Sequence, residues 1–126
     1  MADAVTSKVY DTGAVVIGTF TNLSDGTGEA AVKKLDASDV SAASLAIKRI
    51  SWSTSGMSVR VLFDATTDDF AFQCPTDDAH EMVFEPPLRN PVSSGATGDI
   101  NLTTVGHTSG DAYAIQIECV KTALVA

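Results

Sequence analysis

His107, Ser109 and Asp111 fall within five positions, in the stretch His107-Thr108-Ser109-Gly110-Asp111. A histidine, a hydroxyl and a carboxylate are the parts of a nucleophilic site, in which the serine attacks, the histidine takes its proton and the acid orients the ring. The spacing argues otherwise. Such groups are normally brought together from separate segments, and neighbours on a tight turn rarely reach the geometry. Gly110 supplies unusual backbone angles, and Ser109 and Asp111 bond to nearby main chain, so the stretch reads as a turn between two strands.

Metal chemistry has little to build on. His80 and His107 are the only histidines, and neither has a partner at ligand spacing. Asp77–His80 ("DDAH") puts acids beside His80, but the remaining ligands would have to come from afar. "SDGTGE" and "TTDD" are fragments of calcium loops without the full spacing or the closing glutamate. The glycines form no phosphate-binding loop. Trp52, Phe63, Phe70, Phe72 and Tyr113 read as core rather than as a ligand platform. No catalytic, metal or cofactor residues are assigned, and the residue chemistry predicts a protein that is not an enzyme.

The elements around these residues follow a period of two. Tyr113, Ile115, Ile117 and Cys119 share one face; so do Met57, Val59, Val61 and Phe63, with Ser58 and Arg60 opposite. Ile100 and Leu102 point inward, and Asn101 and Thr103 outward. This is the pattern of antiparallel strands with one face on a core and the other in water. "LAIKRISW" changes phase: Leu45 and Ile47 have one parity, Ile50 and Trp52 the other. One extra residue near Lys48-Arg49, a β-bulge, keeps all four inside. Further strands are predicted at Ser7–Asp11, Ala14–Asn22, Ala31–Asp36, Phe70–Cys74 and Glu81–Phe84. In "DASDVSAASLAI", Asp36 or Ser38 can cap one or two helical turns. Glu85–Gly98 holds three of the four prolines, which exclude a central strand, and reads as a surface loop that exposes Leu88 and Arg89.

Eight or nine short strands predict an all-β fold, an antiparallel β-sandwich for which a jelly roll is one form, with a small barrel as the alternative. The 126 residues fit a single domain, 1–126, with residues 1–7 as an N-terminal arm. Sixteen acids against eight bases give a net charge of −8, which disfavours nucleic acid and anionic membrane as partners. The start of the chain lacks the basic and apolar regions of a signal peptide, and no stretch approaches the roughly 20 apolar residues of a membrane span. The expectation is a cytoplasmic protein, or part of something assembled there. Cys74 and Cys119 each lie in apolar strand context and are expected to stay reduced.

Five segments carry a resemblance: "MADAVTSK" at the start, "FTNLSDGTGE" at Phe20–Glu29, "VKKLDASDVS" after it, "IKRISWSTSGMSVRVLFDATTDD" at Ile47–Asp69, and "TGDINLTTVGHTSGDAYAIQIE" at Thr97–Glu118. In this order they resemble small structural proteins of tailed, notably marine, bacteriophages. They are mostly strand ends and turns, which specify fold better than function. The resemblance implies a virion component, most like a capsid decoration or cement protein. That role implies the major capsid protein as partner, a location on the outer capsid surface and a homo-oligomer, with a trimer favoured. A tail or head–tail connector subunit, and a receptor- or carbohydrate-binding module using Trp52 or Tyr113, are the alternatives. Contacts are expected in the arm, at Val5 and Thr6, where a strand could join a neighbour's sheet edge, and in the loop, at Leu88 and Arg89.

Overall fold

The computed structural model describes residues 4–90 and 97–122. Nine strands follow one another: β1 (Ala4–Asp11), β2 (Val15–Leu23), β3 (Val32–Leu35), β4 (Ser44–Ser55), β5 (Ser58–Phe63), β6 (Asp69–Cys74), β7 (Ala79–Leu88), β8 (Ile100–Val105) and β9 (Ala112–Thr122). They form two antiparallel sheets, one ordered β1-β2-β9-β4-β7 and the other β3-β8-β5-β6. From β2 onward every connection except β5–β6 crosses from one sheet to the other. The orders β2-β9-β4-β7 and β3-β8-β5-β6 are those of a jelly roll, and β1 is a ninth strand added outside β2.

The core lies between the sheets, where the alternating side chains of both meet. Tyr113, Ile115, Ile117 and Cys119 of β9 are buried, as are Met57, Val59, Val61 and Phe63 in and beside β5. The phase change in β4 is a bulge at Lys48. Ile47 pairs with Cys119 and Arg49 with Glu118, so Lys48 is the extra residue. Leu45, Ile47, Ile50 and Trp52 are therefore all buried, while Lys48 and Arg49 stay half-exposed and reach Glu118. The helical reading of "DASDVSAASLAI" reduces to one 3-10 turn at Ala37–Val40, capped by the Asp36 carboxylate, which accepts from Ser38 N–H at 3.0 Å.

The structure corrects several expectations. Asn101 is buried rather than turned to water. The β5–β6 loop folds over it, and its Nδ2 donates to Asp64 and Asp68 at 3.1 and 3.2 Å. Ser58 is also covered, accepting from Gln73 Nε2 at 3.1 Å. The strand expected at Glu81–Phe84 runs from Ala79 to Leu88, past Pro86 and Pro87, so the stretch read as a loop begins as strand. β7 is an edge strand and has no outer neighbour to lose a hydrogen bond to a proline. The rest of that predicted loop, apart from residues 89, 90, 97 and 98, lies outside the described residues, as do residues 1–3 of the predicted arm.

Candidate functional site

The residues with chemical potential are held in structural roles. Asp111 closes the turn, its Oδ2 accepting from Thr108 N–H at 2.7 Å and from Thr108 Oγ1 at 3.0 Å. Gly110 has φ +94°, and its N–H bonds Ser24 O at 2.8 Å, tying the turn to the end of β2. His107 bonds to two other segments of the chain. Its Nε2 donates to Thr27 O at 3.1 Å, and its Nδ1 meets Thr104 Oγ1 at 3.1 Å. Both ring nitrogens thus hold the β2–β3 loop against β8, so the histidine is not poised to take a proton from Ser109. Among the described residues, no three His, Cys, Asp or Glu side chains are placed to hold a metal ion.

The two ligand-platform candidates are buried. Trp52 and Tyr113 are 6% and 3% exposed. Trp52 packs against Phe72 and His80, and Tyr113 donates to Glu29 at 2.5 Å. Phe70, read as core from the sequence, is instead exposed on the edge strand β6, as is Tyr10 on β1, and each has a cation over its ring: Arg60 at 4.8 Å and Lys8 at 5.0 Å.

A cleft of about 420 Å³ opens beneath β1, roofed by Val9 and Asp11 and floored by Lys33, Lys34, Asp36 and Asp39. Most of its charges are already matched. Lys33 meets Asp99 at 3.0 Å, buried Lys34 meets buried Glu29 at 2.5 Å, and Asp11 meets Lys121 at 3.0 Å. The bond to Asp99 holds the Lys33 ammonium above its ordinary pKa. The Gly13 N–H, followed by Lys121, holds the Asp11 carboxyl below its own. Lys33 and Asp11 are thus held in their charged forms by internal partners.

What the fold leaves open is the two ends of its larger sheet. All eight residues of β1 are exposed on both faces, although the strand pairs with β2 without interruption from Ala4↔Leu23 to Asp11↔Val16. Val5 and Thr6 lie here, opposite Asn22 and Thr21 of the same chain, and the Thr6 and Thr21 hydroxyls are in contact. The segment expected to be an arm is thus already a strand of its own sheet from Ala4 onward. At the other end, β7 exposes Met82 and Val83. Leu88 closes this strand against Ile47 and is half-buried on the core, not displayed as the sequence suggested, while Arg89 just beyond it is exposed. The two pairs of expected contact residues therefore sit at opposite edges of one sheet, four strand spacings apart. Sequence reasoning missed Val9 and Tyr10. The alternation Val5, Ser7, Val9 against Thr6, Lys8, Tyr10 was the available signal, obscured because neither face is wholly apolar.

No family model matches the chain, and no curated protein matches it. Among solved structures the chain is similar to carbohydrate-binding modules of family 29. A point mutant of one is 12% identical, with 97% of this chain and 81% of that chain covered and a TM-score of 0.45. A second module of that family is 11% identical over 97% and 78% of the two chains, with a TM-score of 0.43. A variant complexed with mannohexaose is 11% identical over 97% and 81%, with a TM-score of 0.41. Identity and score are both too low to carry an argument about ligand or partner.

Proposed function

We propose that the protein is a non-enzymatic structural subunit of a bacteriophage virion, a decoration protein that binds the outer capsid face and joins neighbouring copies of the major capsid protein. The observation that carries this reading is the open β7 edge. It presents Met82 and Val83 at 41% and 50% exposure and ends at Leu88, just before the exposed Arg89. Pro86, Pro87 and a jump in register discourage strand addition here, so the contact is made by side chains, with Met82 and Val83 as a small apolar patch. The segment resemblance supports the virion setting, and the net charge of −8 suits an outward-facing surface better than one against packaged DNA. Each contact is small. Repetition over a symmetric lattice raises the effective concentration of every further contact, so many weak joints share the load.

The test is addition of purified protein to capsids that lack it. Saturable binding is expected, at hundreds of copies per particle by gel densitometry, the order of magnitude set by a capsid lattice. Val83→Glu, which adds a charge at the exposed edge, should weaken binding by about tenfold or more with the melting temperature unchanged. A few copies per particle, confined to the tail or connector, or the absence of saturable binding, would sink the proposal.

A further inference from the structure

β1 is not needed to complete the jelly roll, buries none of its own side chains and yet pairs along its whole length. The other three sheet edges carry the features that discourage strand pairing. β7 contains Pro86 and Pro87 and jumps from Val83 to Leu88 in register; β3 has four residues and a register shift; β6 has a shift where Val61 and Leu62 pair with Phe72 and Phe70. A long, regular, bulge-free edge is a template for another strand. From this contrast we infer that β1 is a homotypic docking strand, pairing antiparallel with β1 of a second copy about a two-fold axis through Ser7.

The sequence of the strand selects both the occupant and the register. A two-fold axis perpendicular to the sheet keeps the same face of both copies on the same side, so facing residues must have equal parity. Ser7 opposite Ser7 pairs Val5 with Val9, Thr6 with Lys8, and Ala4 with Tyr10, seven facing positions in all. Val5 and Val9 lie on the face of Val16 and Phe20, towards the cleft, and are 49% and 42% exposed. Each would cover its counterpart in the second copy. Lys8 is the one charge within the seven facing positions, so no like charges face each other there; Asp11, the last residue of β1, lies outside them. Moving the axis to Lys8 would set ammonium against ammonium, and moving it to Thr6 or Val9 shortens the pairing. An antiparallel isologous pair also has the better hydrogen-bond geometry and the commonest oligomer symmetry.

The product is two copies sharing one continuous sheet of ten strands, rather than the trimer that the resemblance implies. Seven residues at about 3.4 Å each give an edge about 24 Å long, towards the small end of specific interfaces. Pairing is therefore weak in solution and strengthened where copies are concentrated on a surface. It uses the edge opposite β7 and does not depend on the capsid reading.

Sedimentation equilibrium on the free protein, up to about 1 mM, tests the inference; the expected result is a reversible monomer–dimer equilibrium near 100 μM, as roughly estimated for so small an interface. Val5→Glu/Val9→Glu, which sets like charges across both valine pairs, should raise the dissociation constant at least tenfold, by rough estimate, and Val5→Lys/Val9→Glu should restore it. Both substitutions are at exposed positions, and thermal melting checks that the fold is kept. Ser7→Cys should give a disulfide-linked dimer with oxidised glutathione as the two-electron acceptor, while Thr19→Cys, exposed on the neighbouring strand, should not. A monomer throughout the concentration range, a trimer, a dimer indifferent to the charges at positions 5 and 9, or a dimer that Ser7→Cys fails to trap each overturns it. Binding to capsids is read separately, so capsid binding by a strict monomer would refute this pairing and leave the capsid role standing.

Discussion

Gly98 sits at φ +84°, and a Cβ there would lie 2.3 Å from the Ala43 carbonyl oxygen and 2.7 Å from Ser44 Cα. Both atoms are main chain and cannot swing aside. Gly98 O in turn accepts from Leu45 N–H at 3.2 Å, so the close approach joins the start of β8 to the start of β4. Gly98→Ala should cost about 2–4 kcal/mol, from a left-handed backbone and a contact with no room to relax. Gly110→Ala, at φ +94° in open space, should cost only about 1 kcal/mol. Urea unfolding of the two variants measures the difference, and equal losses would mean that the Ala43 contact does not matter. The two glycines look alike in sequence, each beside an aspartate in a polar turn. The turn at Gly110 was legible because its neighbours bond locally. The crowding at Gly98 was not, because Ala43 lies 55 positions away in the chain.

At the level of elements, the bulge in β4 was legible because parity is a strict constraint: four large apolar residues out of phase require one inserted residue. Deleting Lys48 tests this. It would force either Leu45 and Ile47 or Ile50 and Trp52 onto the solvent face, a loss we estimate at more than 4 kcal/mol, enough to unfold many domains of this size. Lys48→Ala keeps the backbone count and removes only a 3.7 Å contact with Glu118 from a half-exposed lysine, so it should change stability by less than about 1 kcal/mol. Circular dichroism and urea titration of the pair separate the backbone role from the side-chain role. β1 and the far end of β7 were read less well. β1 is exposed on both faces, so neither face needs to be apolar, and Pro86 and Pro87, which bar a central strand, are tolerated at an edge. The period-two signal is strong only where a strand is covered on one face.

For the whole molecule, the two cysteines report on the closure of the sandwich. Cys119 is in the larger sheet and Cys74 in the smaller, and both are free and fully buried. Burial pushes the Cys74 thiol up to about 12, and burial reinforced by the Glu118 carboxylate pushes Cys119 up as well. Neither is a thiolate at neutral pH. A thiol reagent at pH 8 should therefore leave the native protein unmodified over minutes and label both residues together when urea unfolds it. Immediate labelling of either would show that the sandwich opens locally at its strand. Alternation, phase changes and turn residues by themselves determined that this chain is an antiparallel β-protein, and which apolar side chains of β4, β5 and β9 face its core. These are properties of local stereochemistry and of a side-chain period of two. The tertiary structure alone decided the strand order, the covering of Asn101 and Leu88, the separation of Val5 and Thr6 from Leu88 and Arg89, and the position of β1 outside the jelly roll. Those depend on which distant segments pair, and a strand's pattern states that it needs a neighbour without stating which one.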